Sequence, residues 1–488
     1  MIVSAILVAG CTTAPPTGSA PSTPSPEAST PPLSASASPA AAPPLSGEYA
    51  AWQAGRSLPV ADPIYPERGT DALDVLHYDL ALRWSPSKRV LSGTATLHIR
   101  PTRDAASVRL DFKPYEIDSL MVDGAPATGE VTKEKLTVAT PVAKDAPFTL
   151  VVAYHGHPMT TPMPSKRADS HPLGLTVDAA GGLWTMQEPF GAFTWYPVND
   201  QPSDKALYDI SVTVPKGWSG IAGGTPAGRD GDTFRYRSTD PVASYLTTLA
   251  VGKFEKTTAT GPHGLPLTYW YMPRDRRFLP GLKKSAKYLE WLSKKFGPYP
   301  FPTAGIVVVD GPSAMESQQM VTLGYAIPAM GGDFFELNTL HEFAHHWFGD
   351  TVTPNTWRDL WLNEGWALYA QWLYQHERDK TSDAELDRTA REKDAARRRE
   401  FGPPGDPDPA EFGASNVYIG GAAMLRELHN TLGDEKFFAL ARAWVQEHRD
   451  TQQDRASFTA FVNARTGQDF TPLIDAWLDS ATTPPRRG

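Results

Sequence analysis

HEFAHHWFGD, from His341 to Asp350, and WLNEGWALY, from Trp361 to Tyr369, are the stretches of this 488-residue chain on which its fold and chemistry turn. His341 and His345 are four positions apart. On a helix such residues lie one turn apart on one face, close enough to share a metal ion. Glu342 faces the same side and can reach a water held by that ion rather than the ion itself. Eighteen residues separate His345 from Glu364, room for the first helix to end, turn and be followed by an antiparallel helix that brings a carboxylate to the same point. Two imidazoles and one carboxylate make three protein ligands and leave a fourth position for water, the open arrangement of a catalytic rather than a structural site. His346 lies about 100° round the helix from His345 and reads as a packing residue.

Upstream of this segment the pattern is that of strands. Ala95, Leu97 and Ile99 alternate with Thr94, Thr96, His98 and Arg100, and Tyr208, Ile210, Val212 and Val214 alternate with Asp209, Ser211 and Thr213. Alternation of this kind, punctuated by Asp123-Gly124, Gly181-Gly182 and Asp230-Gly231, predicts a β-rich domain of antiparallel sheets over residues 47–256. Near Arg277 the period changes: Leu282, Ala286, Leu289, Leu292 and Phe296 recur at helical spacing until Gly297-Pro298. A short strand over Ile306 to Val309 follows, and then helices are predicted at 335–348, 361–375, 382–399, 417–432 and 435–448. The charged span 382–399 reads as a solvated helix face. The expected fold is α+β, a β-rich domain followed by a mostly helical one over 257–482, with a tail at 483–488.

Lys and Arg number 46 and Asp and Glu 55, a net charge of −9, and no basic stretch offers a nucleic-acid footprint. The single cysteine, Cys11, excludes an intrachain disulfide framework and a cysteine-based metal site. No apolar run reaches the ~18 residues of a spanning helix. Residues 1–11 end in LVAGC, which has the form of a signal peptide with a bacterial lipobox, although no Lys or Arg precedes its apolar run. Residues 12–46 hold 10 Pro, 8 Ser, 8 Ala, 5 Thr and one charge, Glu27, a composition that cannot build a core and reads as a disordered tether. The expectation is an exported cell-surface lipoprotein, alternatively a secreted protein, that meets the membrane only through a lipid on Cys11.

HExxH on a helix is the arrangement in which two histidines bind zinc and the glutamate acts as general base. HEFAHHWFGDTVTPNTWRDLWLNEGWALY as a whole resembles the zinc-site signature of the aminopeptidase N family of gluzincins, which includes the leukotriene epoxide hydrolase branch. SAMES, Ser313 to Ser317, is similar to that family's GAMEN motif, preceded by FGPYPF at Phe296 to Phe301. TMQEPFGAFTWYPVNDQPSDKALYDI resembles a second amine-binding segment, and VYIGGAAML resembles VYEKGA. The resemblance covers residues 60 to 480 and implies a saddle- or sandwich-like antiparallel β domain followed by a thermolysin-like domain. It further implies one Zn2+ per chain on His341, His345 and Glu364. Glu342 then serves as general base and Tyr418 stabilises the oxyanion. Glu316 and Glu188 grip the free amine of a peptide, and Ala314 and Met315 contact the substrate.

The departures from the family are Ser313 and Ser317 in the GAMEN position, Met186 for a common Gln, Ile419-Gly420 after the tyrosine, Asp350 for Asn and Gln371 for Glu. Met186 and Met315 point to an apolar site for the first side chain. The long C-terminal helical domain of larger relatives does not follow the catalytic helices here, so the cleft is expected to be more open. Two other functions carry the same motifs: an epoxide hydrolase of the leukotriene type, and a binding protein on an inert zinc fold.

Overall fold

A computed structural model describes residues 44–167 and 170–486. Cys11 with its lipobox, most of the tether (12–43) and the last two residues of the tail lie outside the described residues. The β-rich domain is built on a nine-stranded sheet. Its path runs Thr225–Asp230, Thr233–Arg237, Lys205–Thr213, Leu73–Ser85, Val90–Pro101, Phe148–Gly156, Glu116–Val122 and Ala125–Pro126, with Val242–Ala243 paired to Lys205–Thr213. The alternation read from the sequence is the alternation of burial: Ala95, Leu97, Ile99, Ile210 and Val212 are all buried. One pairing departs from the antiparallel expectation. Leu73–Ser85 runs parallel to Lys205–Thr213, with Tyr78 opposite Tyr208, because the long excursion between the two strands lets the chain re-enter the sheet in the same direction. Smaller sheets of four strands (Ser219–Ala222, Leu249–Gly252, Leu183–Met186, Gly174–Val177) and of three strands share its core.

The second domain begins with a five-stranded sheet in the order Glu255–Thr260, Pro266–Tyr271, Ala304–Val309, Val321–Gly324, Ala314–Met315. The three inner strands are parallel, and the middle one, Ala304–Val309, is buried and wholly apolar, as a strand covered on both faces must be. Among the described residues, eight helices of nine residues or more follow or interrupt this sheet: α1 Ser285–Phe296, α2 Gly332–His345, α3 Trp361–Asp379, α4 Asp383–Phe401, α5 Ser415–Leu432, α6 Asp434–Glu447, α7 Arg455–Thr466 and α8 Thr471–Asp479. Their ends are written in local chemistry. Gly297, at φ +98°, stops α1, the Ser382 hydroxyl caps α4 by accepting from Glu385 N, and Asp454 and Ser457 form a capping box on α7. Among the described residues no helix is long and apolar enough to cross a membrane.

Helix α4 corrects one reading. Its charged surface is not solvated throughout, since Arg398 is buried, bonded to Asp394 at 2.7 Å and to the carbonyls of Trp477 and Ser480 at the end of α8. A guanidinium each of whose three nitrogens finds an acceptor can be buried, and here it ties α4 to the last helix.

Candidate metal centre

Helix α2 carries His341, Glu342 and His345 on one buried face, and α3, running on from the turn after α2, carries Asn363 and Glu364 in its first turn. The Nε2 atoms of His341 and His345 lie 3.1 and 3.4 Å from the same carboxylate oxygen, Glu364 Oε2. The ligand atoms of the three residues all fall within 4.8 Å of one another. His345 Nδ1 is 3.2 Å from the carbonyl of Phe348, which can only accept, so Nδ1 holds the proton and Nε2 is the free donor atom. Glu342 stands beside this set with Oε1 buried and without a hydrogen-bond partner. Two imidazole nitrogens, one carboxylate oxygen and an orphaned second carboxylate form a donor set that fits a divalent ion of the zinc type.

The ionisable groups of the site act strongly on one another. Burial pushes Glu342 up to about 7. Burial also opposes ionisation of Glu364, but the imidazoles of His345 and His341 override it and hold this carboxyl well below the usual range. On His345 burial disfavours the cation, yet Glu316 and Glu364 outweigh it and raise the ring well above its ordinary value.

Tyr418 reaches the site from the first turn of α5, where its hydroxyl donates to Glu364 Oε1. What lets α5 come so near is a pair of glycines. A Cβ on Gly365 would lie 2.8 Å from the Cα of Gly421, so the two helices cross at backbone contact distance. Ile419-Gly420, which departs from the family, leaves the tyrosine in place.

Glu316 follows the edge strand Ala314–Met315, and Glu188 follows the strand Leu183–Met186 of the other domain. Both carboxylates meet the side-chain amide of Asn363, whose Nδ2 donates to Glu316 Oε1 at 3.2 Å and to Glu188 Oε1 at 3.4 Å. Burial raises both carboxyl groups, and on Glu188 the neighbouring charge of Glu316 adds to it. The backbone before Glu188 is held by Gln187, whose Nε2 donates to the carbonyls of Ser244 and Thr247 and whose Oε1 accepts from Trp195 Nε1. Beyond Glu188 the cleft opens into a pocket with an apolar wall of Met163, Leu173, Met186, Ala314 and Met315 and a polar rim of Arg167, His171 and Ser313. Ser317 is buried, and its hydroxyl bonds that of Thr322 at 3.2 Å. His346 is fully buried and bonded to the Tyr299 hydroxyl at 2.8 Å, the packing role expected of it.

Every residue expected at the site from the sequence is therefore gathered in one cleft between the two domains. Asn363 and Gln187 were not singled out, although each stands next to a residue that was.

Four glutamates, two histidines and a tyrosine converging beneath a helix pair of this kind define a metallopeptidase of the HExxH class. The particular family follows from comparison with known proteins. The model of the peptidase M1 N-terminal domain matches residues 75–246 and that of the peptidase family M1 domain matches residues 281–477. This chain belongs to peptidase family M1.

Over 336 residues it is 28% identical to aminopeptidase N of Streptomyces lividans, a match covering 62% of this chain and 39% of that protein. Among solved structures it is similar to a mutant M1 zinc metallopeptidase from Deinococcus radiodurans bound to a Tyr-Ser-Ala substrate. The TM-score there is 0.75 at 27% identity, over 88% of this chain and 99% of that one. Native yeast LTA4 hydrolase shares the fold, with a TM-score of 0.71 at 21% identity over 86% of this chain and 69% of that one. The chain spans about half the length, or less, of the curated relatives it matches.

Proposed function

We propose that this protein is a zinc-dependent aminopeptidase that removes the first residue from peptides with a free N-terminus. The observation that carries the reading is the meeting of Glu188 and Glu316 on Asn363 in the cleft that holds His341, His345 and Glu364. Four buried carboxylates face two imidazoles there, so an occupant that brings positive charge is favoured, and a peptide ammonium supplies it. An epoxide with an apolar tail has no group for that clamp.

Zinc on His341, His345 and Glu364 would contribute Lewis acidity toward a water and toward the scissile carbonyl. Glu342 accepts the proton of the attacking water and returns it to the departing amine. The Tyr418 hydroxyl donates to the oxygen on which negative charge grows. Glu188 and Glu316 accept from the α-ammonium, which sets the cut after the first residue. The apolar wall of Met186 and Met315 favours an uncharged first side chain.

The test is turnover of a panel of aminoacyl anilides and their N-acetylated forms, with and without a chelator. Hydrolysis confined to free amines and abolished by chelation is expected. Equal rates on acetylated substrates refute the clamp, and activity indifferent to chelation refutes the metal.

Attachment to the cell surface through a lipid on Cys11 belongs to the same proposal and rests on the LVAGC string and the tether composition alone. Incorporation of labelled fatty acid that persists in a Cys11→Ser variant would refute it.

A further inference from the structure

We infer that Lys205 and Tyr245, both in the β-rich domain, are positioning residues for the metal ligand His345 and for Asn363, acting through the turn at residues 348–351. The inference rests on the function proposed above and adds to it the means by which one domain aligns the other's chemistry.

Lys205 is wholly buried, and its Nζ donates to the carbonyls of Asp350 at 2.7 Å and Thr351 at 3.1 Å. The Tyr245 hydroxyl, also wholly buried, donates to the carbonyl of Gly349 at 3.3 Å. Three consecutive carbonyls of the turn that ends α2 thus receive donors from the other domain. Among the described residues no carboxylate pairs directly with the Lys205 ammonium, and Asp450, Asp350 and Asp240 act on it only through space. Burying an ammonium to serve backbone carbonyls is costly. The lysine is also anchored at its own base, because Ser57 Oγ donates to its carbonyl at 2.7 Å and accepts from its N–H at 3.0 Å.

The other side of the same turn faces the site. The Phe348 carbonyl accepts from His345 Nδ1, and the Asp350 N–H donates to the His345 carbonyl at 2.9 Å. Gly349, at φ +133°, packs so tightly that a Cβ on it would lie 2.1 Å from Asn363 Oδ1 and 3.4 Å from His345 Nδ1. A turn released from its carbonyl donors loosens a metal ligand on one flank and the backing of the amine clamp on the other.

The experiment uses the full chain with Lys205→Met and Tyr245→Phe. Zinc affinity is measured by competition with a chromogenic chelator, melting temperatures with and without zinc, and kcat and KM on a free-amine anilide at saturating zinc. Lys205→Met is expected to weaken zinc binding about tenfold or more, in the range seen when an outer partner of a metal ligand is removed. Tyr245→Phe should weaken it about threefold, the effect of one neutral hydrogen bond, with the metal-free melting temperature unchanged. Both should raise KM at saturating zinc, because the clamp is loosened.

Parental zinc affinity and parental KM in both variants overturn the inference, even if melting temperatures fall. Should Lys205→Met not fold, Tyr245→Phe decides by the same criterion. A parent that binds no zinc or does not discriminate against acetylated substrates fails the proposed function itself, whereas a competent parent with indifferent variants fails this inference alone.

Discussion

Removing the Asn363 amide is the sharpest single probe of the cleft. Both of its acceptors are carboxylates, so the amide nitrogen faces them and its loss leaves two anions without their shared donor. Hydrogen bonds to charged groups contribute about 1.5–3 kcal/mol each, but these two are long at 3.2 and 3.4 Å, so Asn363→Ala should cost about 2 kcal/mol in all. At ~1.4 kcal/mol per decade that is roughly a 30-fold loss in kcat/KM on free-amine anilides. The clamp holds the ammonium alike in the ground state and the transition state, so the loss should appear mainly as a higher KM. Steady-state kinetics on alanyl and leucyl anilides read this directly, and elemental analysis checks that one zinc per chain remains, since Asn363 is not among the three residues that could hold the ion. A kcat/KM within about twofold of the parent, or a loss confined to kcat, would refute the reasoning.

Other substitutions separate the remaining roles. Glu342→Gln should lower kcat by ~10²–10⁴ while zinc content and KM stay near the parent's, and a variant as fast as the parent removes Glu342 as the base. Tyr418→Phe should lower kcat by ~10²–10³ with zinc retained, and parental turnover would assign the stabilising donor elsewhere. Gly365→Ala drives a Cβ to 2.8 Å from the Cα of Gly421 and should destabilise the chain by about 1–3 kcal/mol, seen in denaturant melts. That variant should also lose zinc affinity, because prying α3 from α5 shifts Glu364, and an unshifted melt would show that the helices have room to spare.

Much of the metal set could be read from the chain because helical geometry converts a spacing of four into a shared face. His341, Glu342 and His345 needed nothing more than that, and Glu364 needed only enough chain to turn round. Strand alternation was equally legible in Ala95, Leu97 and Ile99. The parallel pairing of Leu73–Ser85 with Lys205–Thr213 was not, because alternation reports which face is buried and says nothing of the neighbour's direction. The burial of Arg398 was missed for a related reason: a charged helix turns its charges inward only where a neighbouring helix end offers carbonyls, as α8 does. Tyr418 entered through family resemblance alone, and the physical basis of its placement is the Gly365–Gly421 contact.

Sequence by itself determined the local quantities: the periods, the turn and cap signals, the net acidity, and three ligands within reach of one ion. Backbone hydrogen bonding and side-chain alternation act over a few residues, so their record is continuous in the chain. Tertiary structure alone decided that Glu188 meets Asn363 across 175 residues and that Lys205 meets the carbonyl of Asp350 across 145. Such meetings depend on the summed packing of two domains, to which each residue contributes a little and which no short pattern records.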